Sequence, residues 1–149
     1  MDNAIDMGLI FKTLIQDSTL KTLMNIDSAL HSNYSELVDK YFLQTYVSDK
    51  FTETPICRLL IGFERPYDTN NRYVHWNYIK IESYVPTCID MSEGYQSRTL
   101  LISDRIANVL MENLINDRNL EVCEPYELIS NSNYFKRYVT VMKYKKVYS

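Results

Sequence analysis

The chain has 149 residues, a net charge of −3 at pH 7 and 46% hydrophobic residues, which together predict one folded domain with one core. No stretch approaches the roughly 18 consecutive apolar residues of a membrane-spanning helix. The acidic N-terminal residues lack the basic and then apolar segments of a secretion signal. Acidic and basic residues are interspersed, and no basic stripe precedes the C-terminal tail, which disfavours sequence-specific binding to nucleic acid.

The 3 cysteines lie far apart, at Cys57, Cys88 and Cys123. We expect buried free thiols in a reducing compartment, because a zinc site that included His75 would need four distant ligands to converge. Only 3 glycines occur against 13 tyrosines. Few glycines argue against a phosphate-binding loop, whereas many tyrosines are typical of sheet faces and protein interfaces. We therefore expect no cofactor and no metal.

The N-terminal part, residues 1–47, is predicted to be mainly helical. Apolar residues at three-four spacing predict a helix over residues 3–16. Asp17 is suited to cap a second short helix after it. The pattern weakens from Asp27 onward, and for residues 41–47 a buried extended piece and a helix end both fit.

The remaining part, residues 55–147, is predicted to hold a sheet and a main helix. A compact apolar run at residues 56–63 predicts the first strand, and the charged, turn-rich residues 64–72 predict a hairpin loop. The second strand, residues 73–85, carries its apolar side chains on one face up to Tyr78 and on the other face thereafter. A β-bulge and a change of covering partner would both produce that switch.

The clearest helix covers residues 96–115, starting at a serine between Ser92 and Ser97 and stopping at residues 116–119. Its apolar stripe consists of Ile102, Ile106, Val109, Leu110 and Leu114. Its wet face consists mainly of Arg98, Asp104, Arg105, Asn108 and Glu112. A helix with a single apolar stripe needs a sheet face to cover it.

Two more strands are predicted after the helix, at residues 120–129 and 134–147. The order predicts a single α+β domain over residues 1–149: N-terminal helices and two β-hairpins that form a four-stranded sheet, with the main amphipathic helix packed on it. The helix spans roughly 28 Å and the second strand roughly 40 Å. We therefore expect the strand to project past its cover, with Val74, Trp76 and Tyr78 on one face, and to meet a neighbouring subunit.

No motif in the sequence predicts catalysis, so we expect no enzyme. His31 and His75 lie outside nucleophile and metalloprotease motifs, and Glu82 is most simply a sheet pair or a solvated charge. The residues expected at an interface lie on the hairpin, the second strand and the wet helix face. They are Arg65, Tyr67, Asp68, Arg72, Tyr73, His75, Trp76, Arg98, Asp104, Arg105 and Glu112.

This layout resembles the phage tail-terminator proteins, also called tail-completion or minor tail proteins. Residues 17–24 are similar to that family's short second helix, and residues 54–61 to its first strand, which follows a proline. Residues 78–85 resemble its second strand, and residues 101–110 the helix after it, where an Asp-basic-Ile unit is common. The resemblance covers most of the chain, although residues 27–47 are longer than the family's pattern.

The resemblance implies a structural virion protein that forms a ring, commonly a hexamer, on the end of the tail tube, where it stops tube growth. Its implied partners are copies of itself, the tail tube protein and the neck or connector proteins. Its implied location is the tail or neck of the virion, after assembly in the host cytoplasm. Each subunit of such a ring needs two different complementary surfaces.

Besides nucleic-acid binding, which would show a salt-dependent affinity, two alternatives stay open on the sequence alone. One is another neck or head–tail connector component of the same particle. The other is a small intracellular enzyme or ligand-binding α+β domain with a pocket between helix and sheet. A buried cleft with converging polar groups would favour the second alternative.

Overall fold

A computed structural model describes residues 3–26, 37–38, 40–44, 56–64, 74–91, 96–115, 118–123, 126–128 and 134–147. The helices within those ranges are α1 (Asn3–Ile15), α2 (Ser18–Leu23), α3 (Thr87–Asp90) and α4 (Arg98–Glu112). The strands are β1 (Phe42–Leu43), β2 (Arg58–Glu64), β3 (Val74–Pro86), β4 (Glu121–Val122), β5 (Tyr126–Leu128) and β6 (Phe135–Val147).

These elements form an α+β domain, as predicted. The strands lie in the order β1-β2-β3-β6-β4, and β5 pairs with β6 as well. The sheet is mixed, because β1 runs parallel to β2 while the other pairs are antiparallel. The predicted count of four strands is wrong in two places. The N-terminal part contributes the short strand β1, and the segment after the main helix supplies two short strands, β4 and β5, along one edge.

The N-terminal helices form where their local signals predict them. Asp17 caps α2, its side chain accepting a hydrogen bond of 2.8 Å from the backbone N–H of Leu20. The chain leaves α2 through Asn25, whose φ of 57° is in the left-handed region, which asparagine tolerates better than most residues. The apolar sides of α1 and α2 join the main core beside α4.

Strands β3 and β6 are the longest described strands of the sheet. Each has 13 residues, and they pair without interruption from Val74 opposite Val147 to Pro86 opposite Phe135. The β-bulge offered for the face switch after Tyr78 is therefore wrong. Alternation is regular. The helix-side position before Ile79 is occupied by the polar Asn77, which donates a hydrogen bond to Tyr144, so the apolar pattern changes face without a break in the strand.

The helices cover one face of this sheet. On β3 that face carries Ile79 and Ile81, which share a buried cluster with Ile102 and Ile106 of α4. On β6 it carries Thr140, whose hydroxyl lies 2.8 Å from that of Ser103 in α4. Neighbouring residues along each strand point to the opposite face, so the sheet has a helix side and a second side on which no described helix packs. We call the second side the open side, although it also buries a small cluster that includes Leu60, Tyr84 and Phe135.

Helix α4 is shorter at both ends than the predicted residues 96–115. Ser97 caps its start, inside the predicted window, but it ends at Glu112. There Asn113 is extended rather than left-handed, and its side chain donates to the carbonyl of Val109 at 2.7 Å. The predicted buried position of Leu114 is wrong: this residue follows the helix and is 60% exposed.

Candidate assembly surfaces

The far ends of β3 and β6 extend beyond the other described strands of the sheet. β2 stops where Glu64 lies opposite Tyr78, and β4 pairs with β6 no further than Lys143. Past these points residues 74–77 pair with residues 144–147, and no other described strand flanks either segment. We call these two segments the ribbon. At about 3.3 Å per residue it projects by roughly 13 Å, as the comparison of helix and strand lengths predicts.

The open side of the ribbon carries an aromatic ring between two lysines. Trp76 lies three positions before Ile79 in β3 and so points away from α4. The ammonium groups of Lys143 and Lys145 lie 4.4 Å and 5.1 Å from the centroid of its ring, within range of a cation–π interaction. Lys145 pairs with Trp76, and Lys143 pairs with Tyr78, the next residue of β3 on the same face. We call Trp76, Lys143 and Lys145 the basic face.

The helix side of the ribbon's base is anchored to α1. Tyr144 donates a hydrogen bond of 2.7 Å from its hydroxyl to the carboxylate of Asp6, which is 0% exposed. The side-chain amide of Asn77 donates to the same hydroxyl at 3.2 Å, and a guanidinium nitrogen of Arg118 lies 3.7 Å from the Asp6 carboxylate. Burial, together with the Asp6 carboxylate, raises the pKa of Tyr144 above its ordinary value. The hydroxyl therefore stays protonated and donates.

The outer surface of α4 presents exposed apolar and acidic side chains. Leu100 and Met111 are 44% and 41% exposed, and they lie on the same side of the helix as Asp104, since positions 100, 104 and 111 are four and seven apart. Asp104 and Glu112 are also exposed. We call Leu100, Asp104, Met111 and Glu112 the acidic face.

Arg98 does not belong to that surface, so its predicted place on the wet face is wrong. It is 4% exposed, and its guanidinium donates to the carbonyl of Leu23 at 2.9 Å and to the side chain of Asn25 at 3.1 Å. Its Nε also donates to the carbonyl of Ile89 at 3.2 Å. Arg98 thus satisfies carbonyls at the end of α2, where a helix leaves acceptors without partners.

Arg105 is also engaged within the chain. Its guanidinium binds both carboxylate oxygens of Asp17, at 2.8 Å and 2.6 Å. Hydrogen bonding from Arg105 lowers the pKa of Asp17, more than burial raises it. Asp17 binds Arg105, and the charge of Glu112 also acts on that guanidinium. With Arg105 balanced by Asp17, the carboxylates of Asp104 and Glu112 leave the acidic face with a negative charge.

A carboxylate outside α4 holds the start of that helix. Asp90 accepts hydrogen bonds of 2.9 Å from the hydroxyl of Ser97 and from the backbone N–H of Thr99, and a third from the Thr99 hydroxyl. The ammonium of Lys136 lies 3.4 Å away. Burial of Asp90 raises its pKa, but these donors outweigh burial, and the net pKa is lowered. The sequence gives no local signal for this contact, because Asp90 lies seven residues before Ser97.

The open side of the sheet contains a buried ion pair. Glu82 is 1% exposed and accepts a hydrogen bond of 2.7 Å from Nε of Arg137, whose guanidinium carbon lies 4.9 Å from the Tyr84 ring centroid. The interpretation of Glu82 as a sheet pair is confirmed. Beside it is a hollow of about 150 Å³, lined by Gln44, Leu60, Ile61, Gly62, Phe63, Lys80 and Glu82. That volume is below the roughly 300–1,000 Å³ usual for small-molecule sites.

Several predicted interface residues lie outside the described residues: Arg65, Tyr67, Asp68, Arg72 and Tyr73. For His75 the structure describes only the backbone, which belongs to β3. Trp76, Asp104 and Glu112 lie on the two faces defined above, and their part in an interface stays a prediction.

The cysteines differ in their surroundings. Cys57 is buried, Cys88 is exposed and Cys123 is half-buried, so the expectation that all three are buried is wrong for Cys88, which lies in the short surface helix α3. Burial raises the pKa of Cys57 to about 12. Among the described residues no group of three or more His, Cys, Asp and Glu is placed to hold a metal ion. In the same part of the chain no helix is long and apolar enough to cross a membrane.

The fold and its surfaces define a small α+β protein with a projecting two-stranded ribbon. The chain belongs to the YomW family, whose model matches residues 10–146. That family is phage-derived, of the Bacillus prophage YomW type, which makes this a phage-related protein.

Two further comparisons add little to that assignment. No curated protein matches the sequence. Several solved protein chains resemble the structure. One of them does so with a TM-score of 0.41 and 12% sequence identity, over 90% of this chain and 99% of that chain. A resemblance of that degree carries no functional argument.

Proposed function

We propose that this phage-related protein is a structural virion subunit similar to the tail terminators. In this role it forms a ring that caps the tail tube and joins the tail to the head or neck. The observation that carries the proposal is the ribbon, in which two strand segments leave the sheet with no described strand beside them. The membership of a phage-derived family supports it.

Open strand edges suit a protein that works through contact with other chains. Each strand of the ribbon directs one row of backbone N–H and C=O groups outward, and monomeric proteins usually block such edges, since they invite pairing. The ribbon is also firmly held, because Tyr144 and Asn77 connect its base to the buried Asp6 carboxylate. A firmly held projection, with no described strand along its edges, loses little conformational freedom when it binds a neighbouring subunit.

The same features disfavour an enzyme, and we propose that the protein has no catalytic activity. On the open side the buried carboxylate of Glu82 binds the half-buried guanidinium of Arg137. The hollow beside them, at about 150 Å³, is smaller than a usual substrate pocket. We place the protein in the tail or neck of the virion after assembly in the host cytoplasm, with the tail tube protein and the neck or connector proteins as partners.

Deletion of the gene from the phage or prophage that encodes it tests this role. A terminator is required to stop tube growth and to join the tail, so the deletion should give tubes of irregular length and heads without tails, as seen by electron microscopy. Tails of normal length that fail to join heads would assign the protein to another neck or connector component instead. Normal, infectious particles would refute both roles.

The purified chain provides a second test. Light scattering should give a mass that is a whole-number multiple of 17.6 kDa, and electron microscopy should show closed rings, either free or on tube ends when the tube protein of the same phage is added. Filaments without closure would contradict a ring, since a head-to-tail interface that does not close produces open helices.

A further inference from the structure

The basic face and the acidic face lie on opposite sides of the subunit. Trp76 points to the open side of the sheet, whereas α4 covers the helix side through Ile102 and Ile106. The acidic face lies on the outer surface of α4, turned away from the sheet. Two surfaces that point in opposite directions suit head-to-tail association, in which one face of each subunit meets a different face of the next.

The two faces are also complementary in chemistry. The basic face combines an aromatic ring with the two ammonium groups of Lys143 and Lys145. The acidic face combines two exposed apolar side chains, Leu100 and Met111, with two carboxylates. Apolar side chains would pack against the ring and against the lysine stems, while the ammonium groups approach the carboxylates.

We propose that the basic face of one copy of this chain binds the acidic face of the next copy. This contact rests on the proposed ring and names its two surfaces. The engagement of Arg98 and Arg105 within the chain is essential to it. Were these two arginines free on the outer helix surface, as the sequence suggests, that surface would carry both charges and would not attract a basic partner.

Charge complementarity favours a second copy over a nucleic acid as the occupant. A polyanion would need a continuous basic surface, but the exposed Glu121 lies directly opposite Lys143 in the pairing of β4 with β6. The acidic face would in addition be left without a partner. Exposed charge pairs mainly govern the rate of association and its dependence on salt, so assembly through these faces should weaken as salt is raised.

The test is a charge-reversal set introduced into the phage that lacks the gene. The first variant is Lys143→Glu with Lys145→Glu, which gives two acidic faces. The second is Asp104→Lys with Glu112→Lys, which gives two basic faces. The third carries all four changes and exchanges the two charges. A matched control, Lys12→Glu with Lys21→Glu, makes the same change of net charge as the first variant, but on α1 and α2.

We expect each of the first two variants to lower the yield of infectious particles by at least ten-fold. The four-fold variant should restore the yield, and so should co-expression of the first two, because each then offers the face that the other requires. The control should match the original chain. Melting temperatures of all purified variants should agree within a few degrees, since the altered side chains are on the surface.

Other outcomes overturn the contact. If a single-face variant supports normal yield, or if the four-fold variant fails although it is folded, the two faces do not bind one another. If the first variant instead loses retention on duplex DNA at low salt, with its assembly unchanged, the basic face binds a polyanion. In each of these cases the deletion phenotype still decides the proposed function separately.

Discussion

Replacement of Asp90 by asparagine should destabilise the protein substantially, although the two side chains have nearly the same shape. The carboxylate accepts three hydrogen bonds, from Ser97 and from the backbone and hydroxyl of Thr99. An asparagine keeps one acceptor oxygen and turns an NH₂ group toward the remaining donors. Loss of one charge-assisted bond costs about 1.5–3 kcal/mol, and loss of a negative charge at the start of α4 costs about 0.3–1 kcal/mol.

The expected loss is therefore about 2–4 kcal/mol in the free energy of unfolding at pH 7, measured by urea denaturation. For a chain of this size each kcal/mol lowers the melting temperature by about 2–4 °C, so scanning calorimetry should find a decrease of roughly 4–16 °C. The matched control is Asp104→Asn, which removes the same charge from the exposed surface of α4 and should change stability by no more than about 0.5 kcal/mol.

The effect has a defined pH dependence. The pKa of Asp90 is lower in the folded protein than its ordinary value, so the stabilisation is fully present above the unfolded pKa of about 4. It is lost as the pH falls through the folded pKa, because the unfolded chain then binds more protons. The difference between the original chain and Asp90→Asn should thus be constant from pH 7 to about pH 5 and shrink in more acid solution. A difference below about 0.5 kcal/mol at pH 7, or one that does not change with acid, would refute the reasoning.

Three further predictions concern other contacts. Glu82→Gln removes the buried carboxylate charge that the half-buried guanidinium of Arg137 binds and should lower the free energy of unfolding by about 3 kcal/mol; in urea denaturation the Glu82→Met/Arg137→Met pair should recover much of that loss. Arg105→Gln should lower the free energy of unfolding by only about 1 kcal/mol, because the ion pair with Asp17 is partly exposed. It should also speed amide hydrogen exchange in α2, and unchanged exchange there would show that the Asp17–Arg105 pair does not hold that helix. Cys57, whose pKa burial raises to about 12, should resist iodoacetamide at pH 8 while the exposed cysteine of α3 reacts; mass spectrometry should find equal labelling only after unfolding.

Local patterns sufficed for the elements whose signals lie within one stretch of chain. The three-four spacing of apolar residues placed α1 and α4, and Asp17 fits its role as a cap because the residue and the amide it binds are three positions apart. The apolar runs of β2, β3 and β6 placed those strands to within about two residues, which is the usual uncertainty of element ends.

What the sequence missed depends on contacts between distant segments. Phe42 belongs to a strand only because β2 lies beside it, with Leu59 opposite. In addition, knowing the helix face on which a residue lies does not tell where the end of its long side chain is placed. Arg98 begins α4, yet its guanidinium reaches carbonyl groups of α2, some 75 residues away along the chain. The Glu82–Arg137 pair likewise requires the register of β3 against β6, which neither strand reveals alone.

The hydroxyl of Tyr144 has a mechanical consequence for any assembly that the ribbon enters. It is the point at which β6, β3 and α1 meet, through Asn77 on one side and Asp6 on the other. A force that bends the projecting strands must stretch or break these hydrogen bonds. A broken bond would leave buried polar atoms without a hydrogen-bond partner, which costs free energy. In the proposed assembly, the hydrogen bonds of Tyr144 would fix the angle between the ribbon and the body of the subunit before a neighbouring subunit binds.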